Sequence, residues 1–175
     1  MREKLRSFFY FLLAVAAVFI VLKTLNWLPF VAQKETMRHY DSLEQVRTAL
    51  DLKEIYVPAY YPQNITWPPS EILAQAKPDP AVVMVYRQAG SGAIMLIVTQ
   101  AVAANFPVNA AISIDRLTEK VPYPLKGRNA LLEVGSCKTG ETCSRIAWNE
   151  GEFRITVAMR SSPFELIKIS ESMIH

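Results

Sequence analysis

The sequence predicts an α+β protein: an N-terminal transmembrane helix followed by a mostly antiparallel β-sheet domain with an amphipathic C-terminal helix. Three stretches predict it. Residues 7–22, SFFYFLLAVAAVFIVL, carry no charge and lie between Arg6 and Lys23. Residues 81–159 alternate runs of β-branched and aromatic residues with glycine-containing turns. Ser162-Pro163-Phe164-Glu165 then offers an N-cap serine, a proline at the first helical position and a glutamate at the third, which together mark a helix start.

As a helix rising ~1.5 Å per residue, the charge-free run covers about 24 Å, short of a hydrocarbon core about 30 Å thick. Thr24-Leu25-Asn26-Trp27-Leu28 completes the crossing, with the Lys23 stem reaching toward the interface and Trp27 at headgroup depth. Residues 7–28 therefore read as a transmembrane signal anchor. The competing reading is a cleaved signal peptide, because Met1-Arg2-Glu3-Lys4-Leu5-Arg6 is a fair basic leader. Its exit disagrees: Lys23, Asn26, Trp27 and Pro29 intervene before Phe30-Val31-Ala32, and no cysteine near residue 20 offers lipid attachment. Arg2, Lys4 and Arg6 precede the run, whereas a count on the far side must extend to Lys34 and Arg38 to match them. Long C-terminal segments translocate with little regard to their own charge, so residues 1–6 are expected as a cytoplasmic tail. The rest then faces outward.

Residues 29–40 read as a juxtamembrane connector and 41–175 as one extracytoplasmic domain of ordinary size. Ser42 and Gln45 form a capping box ahead of Leu43, Val46, Ala49 and Leu50, which predicts a helix of about ten residues. Ile55-Tyr56-Val57-Pro58 comes next as a short extended segment. Residues 58–80 hold six of the chain's eleven prolines, with Tyr60, Tyr61 and Trp67 among them. Prolines remove ladder donors and push their predecessors toward extended backbone, so this is expected to be irregular chain wrapping over the core. A brief helical turn is expected where Pro68-Pro69-Ser70-Glu71 leads into Ile72, Leu73 and Ala76. Tyr60, Tyr61, Trp67 and Ile72 are the candidate partner surface; the alternative is that these side chains only close the core edge. Asn64-Ile65-Thr66 fits a glycosylation sequon, a pattern of little specificity.

Residues 81–87 and 93–99 flank Gln88-Ala89-Gly90-Ser91-Gly92 and predict a hairpin. Both runs are apolar at odd and even positions, so they belong in the middle of the sheet with cover on both faces. The C-terminal helix can cover one face, which leaves the other to the proline-rich wrap or to another protein. Residues 101–114 are ambiguous. Further strands are expected at 119–125, 129–134, 142–148 and 152–159, the last alternating Phe153, Ile155, Val157 and Met159 against Glu152, Arg154, Thr156 and Ala158. At 100° per residue, Leu166, Ile167, Ile169, Met173 and Ile174 share one face of the closing helix, with Ser170 inside it, where a small residue permits close approach to the sheet.

Cys137 and Cys143 are six positions apart. In an oxidising compartment they are expected to form a disulfide clamping the loop between two strands; redox activity or metal binding by the thiols is the alternative. Catalytic chemistry finds little to build on. The histidines are His39 and His175, so a nucleophile has no convincing base. No paired-histidine metal motif, phosphate loop or dinucleotide fingerprint occurs, so neither metal nor cofactor is expected. Gly90-Ser91-Gly92 is explained by turn geometry. The 19 basic and 16 acidic residues are dispersed, giving +3 without a basic block, and nucleic acid is not an expected partner.

Pro58-Ala59-Tyr60-Tyr61-Pro62-Gln63-Asn64 resembles the Pro-x-Tyr-Leu-Pro-x-Gly signature of a bacterial domain-of-unknown-function family. That family occurs as the extracytoplasmic domain of membrane-bound anti-sigma-factor-like proteins and of lipoproteins. The order of elements after the signature is similar as well: a strand at 82–86, another ending near Gln100, a turn at 148–151 and a closing helix containing Glu171-Ser172. The likeness spans residues 42–174, and Asn64 stands where the family has glycine. It implies the bacterial cytoplasmic (inner) membrane, crossed once with the N-terminus inside and the domain periplasmic. Six residues ahead of the apolar run leave no room for a sigma-binding domain, which argues against a direct anti-sigma role. The function expected is a non-enzymatic sensor, regulatory or accessory subunit of an envelope complex, with the bilayer and an envelope protein as partners. An envelope enzyme or thiol-redox protein is the alternative.

Overall fold

The computed structural model describes residues 37–102, 106 and 111–174, together with 17, 18, 21 and 23. The tail expected at 1–6 lies outside the described residues. So does the anchor expected at 7–28, apart from the helical, exposed Ala17, Val18, Val21 and Lys23. Among the described residues no helix is long and apolar enough to cross a membrane. The chain divides into compact units Met1–Met37 and Arg38–His175.

The strands of the second unit are Arg38–Tyr40 (β1), Glu71–Gln75 (β2), Ala81–Arg87 (β3), Ile94–Ala101 (β4), Ile114–Leu125 (β5), Arg128–Cys137 (β6), Thr142–Glu150 (β7) and Phe153–Met159 (β8). Leu43–Leu50 (α1) and Pro163–Glu171 (α2) are helical. The strands form one sheet in the order β1-β2-β3-β4-β8-β7-β6-β5, and every pair is antiparallel. Two meanders thus meet where β4 pairs with β8. The domain is α+β with a C-terminal helix, as its sequence patterning predicts.

Register turns the alternation of each strand into two faces. Val121, Leu132, Ile146, Val157, Val98, Met84 and Ile72 stand side by side across the first face and belong to one core. One residue along, Lys120, Glu133, Arg145, Ala158, Ile97, Val85 and Glu71 form the matching row on the second face. Val83, Val85, Ile97 and Ala158 are buried there, so β3 and β4 are covered on both sides, as their composition requires.

The division of that cover differs from expectation. Leu166, Ile169, Met173 and Ile174 from α2 and its C-terminal extension join the same core as Ile65 of the wrap, with Ile55, Val57 and Tyr61 packed against it. Helix and wrap therefore share the first face. An eight-stranded sheet at about 4.8 Å per strand is far wider than a helix about 10 Å across, so one helix cannot cover it. α2 packs on β7, β8 and β5, while Tyr61 and Ile65 of the wrap lie against the β3 end and Val46 of α1 joins the core from the β1–β2 side.

Two further expectations are corrected. The segment at 71–75 is strand β2, not a helical turn: pairing with β3 buries Ile72 and Ala74 and removes a bare edge from that strand. Arg38–Tyr40, assigned to the connector, is the edge strand beyond it. The ambiguous stretch at 101–114 closes β4 and opens β5, and most of its middle lies outside the described residues.

The local signals act largely as read. Ser42 caps α1 by accepting the Gln45 N–H at 3.3 Å, while Gln45 Oε1 reaches past the cap to accept from Asp41 N–H at 3.2 Å. Ser170 is fully buried under α2 and donates back to the Leu166 carbonyl. Lys126 and Gly127, at φ 45° and 83°, make the tight turn between β5 and β6. The irregular pairing at the start of β5 needs Gly135 opposite it, because a Cβ there would collide with the Arg116 carbonyl.

Candidate functional site

Three aromatic rings step from core to solvent where the wrap crosses β3. Tyr86 is fully buried in the strand, Tyr61 half-buried above it, and Trp67 53% exposed. Ring centroids lie 4.5 Å apart for Tyr61–Trp67, 5.7 Å for Tyr61–Tyr86 and 6.1 Å for Trp67–Tyr86, the last pair being nearly parallel at 16°. Such contacts contribute about 0.5–1.5 kcal/mol each beyond the area they bury. Burial pushes the Tyr61 hydroxyl up to about 12, against the opposing Tyr86 hydroxyl, and burial drives Tyr86 up further.

Backbone clasps hold Trp67 from both sides. Thr66 donates from its N–H and its hydroxyl to the Arg87 carbonyl, at 2.9 and 3.0 Å, and Ser70 does the same to the Val85 carbonyl. Ala89 N–H donates to the Asn64 carbonyl at 2.9 Å. The tryptophan is thus presented on a fixed loop, with one side against tyrosine and much of its surface open.

Tyr60 points the other way and is 39% exposed. Its N–H donates to Ser172 Oγ and its hydroxyl to Glu165 Oε2, both at 3.1 Å. Hydrogen bonds from Lys168 and from Tyr60 hold the Glu165 carboxyl below its ordinary value. The expected capping role of this glutamate is replaced by that bridge, and Ser162 makes no side-chain cap bond. Ile72 is 6% exposed and lies in the core row of β2, so it does not belong to the surface assigned to it. Its strand alternation with Ala74 turns it inward.

Two members went unassigned in the sequence. Tyr86 shares alternation with Val82 and Met84, which places it on the core face under the wrap. Phe164 is 74% exposed beside Glu165, and the 100° rotation that groups Leu166 with Ile169 leaves it on the opposite side of α2.

Cys137 and Cys143 are disulfide-bonded with their Cα atoms 5.5 Å apart, both buried at the β6–β7 turn, where Cys137 N–H donates to the Glu141 carbonyl at 2.8 Å. Among the described residues no cluster of His, Cys, Asp and Glu could hold a metal ion. His39 is largely exposed on β1, 3.7 Å from Glu71, and His175 lies outside the described residues. A cavity of about 330 Å³ beside the disulfide turn is lined in part by Gln88, Glu141, Thr142, Arg160 and Ser161.

No family model, curated protein or solved structure matches the chain.

Proposed function

We propose that this protein is a single-pass, membrane-anchored, extracytoplasmic sensor, regulatory or accessory subunit of a bacterial envelope complex, acting by binding and not by catalysis. The observation that carries the reading is the charge-free run at 7–22 behind Arg2, Lys4 and Arg6, which suits a signal anchor with the domain outside. The Cys137–Cys143 bridge is compatible with an oxidising compartment. The resemblance of Pro58-Ala59-Tyr60-Tyr61-Pro62-Gln63-Asn64 to an envelope-domain signature points the same way. Within the reading, the partner surface centres on Trp67 with half-buried Tyr61 beneath it, while Tyr60 and Phe164 are exposed aromatics on the α2 side and Ile72 is left out, because exposed aromatics on a fixed framework make good interface anchors.

The test has two arms. An export-dependent reporter fused after His175 is expected to be active, and activity of a cytoplasmic reporter at that position would overturn the topology. A photo-cross-linker at position 67 in native membranes is expected to trap an envelope protein, with position 117, exposed on the far edge strand, as control. Adducts at 117 without adducts at 67 would move the interface elsewhere.

A further inference from the structure

The wrap is attached to the sheet in an unusual way. Residues 54–63 run from the end of α1 to the clasp at Ile65 and Thr66, and their tertiary backbone bonds end on side chains. Gln100, fully buried in β4, accepts the Tyr56 N–H and donates to the Glu54 carbonyl, both at 3.0 Å. Ser172 Oγ, just past α2, accepts the N–H groups of Ala59 and Tyr60 at 3.1 Å while donating to the Ile169 carbonyl. Pro58 and Pro62 have no N–H to give. One amide side chain, one hydroxyl and the Tyr60–Glu165 contact thus hold ten residues of chain. The underside packs on the core through Ile55, Tyr56, Val57 and Tyr61, all half-buried, and Pro58 among them is buried. Flanking segments are tied by ladder-type backbone bonds, Ile65 by a bridge to Gln88 and Thr66 to Arg87, and α1 ends in a left-handed Asp51 at φ 51°.

We propose that residues 54–63 form a releasable strap, latched by Gln100 and Ser172, that opens while the sheet stays folded. Gln100 belongs to the row that includes Val82 and Ile155, and Tyr86 to the row that includes Leu96 and Met159. Between them lies the row of Met84, Val98 and Val157, which opening uncovers on the first face. The proposal is independent of the compartment in which the domain works.

Hydrogen exchange of the full-length chain, followed residue by residue at increasing sub-denaturing urea, decides it. The amides of Tyr56, Ala59 and Tyr60 are expected to exchange at least about tenfold faster than those of Ile97 to Thr99, with almost no urea dependence, as local opening requires. Ser172→Ala is expected to accelerate Ala59 and Tyr60 by about a further tenfold, the scale of one lost hydrogen bond, and to leave β6 and β7 unchanged. Equal rates and equal urea slopes for strap and β4 in the native chain would overturn the proposal, whether or not the variant folds. Acceleration spread evenly over β6 and β7 would make Ser172 a helix terminator and nothing more.

Discussion

Glu133 is the clearest instance of a single residue whose environment comes from register. It is 7% exposed on the second face, between Lys120 on β5 at 3.0 Å and Arg145 on β7, whose Nε donates at 2.7 Å. Burial pushes its carboxyl up, and the hydrogen bonds from Lys120 and Arg145 outweigh that, leaving the pKa below the ordinary glutamate value. A depressed carboxylate pKa contributes stability that is present above the unfolded value and lost as pH falls through the folded one. Stability should therefore fall as pH drops below about 4.5. Glu133→Gln should flatten that acid limb and cost about 1–2 kcal/mol at pH 7, a modest figure because both cations are about half exposed. Urea unfolding of the two proteins from pH 3 to 7 checks this; superimposable acid limbs would sink it. The neighbours of Glu133 in sequence, Leu132 and Val134, give no hint of the ion pairs. These arise from strands that register sets beside it.

At the scale of elements, the hairpin of β6 and β7 is closed by a turn and by Cys137–Cys143. The bridge closes a seven-residue loop, for which chain entropy gives about 2.4 kcal/mol. Cys143→Ser should lower stability by about that amount, read as a lower denaturation midpoint at unchanged slope. A variant as stable as the parent would show that turn and ladder suffice. The hairpin was legible because composition marks both strands and the cysteine spacing marks the turn. β2 was not legible: Pro68-Pro69-Ser70-Glu71 carries a helix-start pattern, and only the open edge of β3 made the extended form better. α2 was legible in position and face, whereas its first-turn glutamate turned to Tyr60 and Lys168, two partners that helix periodicity does not specify together.

For the whole molecule, the boundary of the folded unit is the quantity with a direct consequence. Arg38–Tyr40 pairs with β2, and Tyr40 packs against the core, so a chain starting at residue 41 lacks the edge that shields Ile72 to Ala74. A fragment of residues 37–175 should melt several degrees above one of 41–175, consistent with about 1–2 kcal/mol for a short strand and a half-buried tyrosine. Equal melting temperatures would mean that β1 adds nothing to the fold. The sheet order β1-β2-β3-β4-β8-β7-β6-β5 also belongs to this scale. β2-β3-β4 and β5-β6-β7-β8 each follow from neighbouring strands and short turns, but β1 reaches β2 across α1 and the wrap, and the meeting of β4 with β8 spans more than fifty residues and leaves no local trace in the sequence.

The sequence by itself determined the α+β class, the central hairpin, the later strands, the closing helix with its buried face, and the cysteine pairing. All of these rest on periodicity, turn chemistry or spacing, which act over a few residues. Only the tertiary structure decided that helix and wrap divide one face, that Ile72 is core while Trp67 is half open, that Glu133 sits between two cations, and that Gln100 and Ser172 hold the strap. The physical reason is the same in each case. Those outcomes depend on how wide the finished sheet is and on which strands register sets side by side, and neither quantity exists until distant segments have paired.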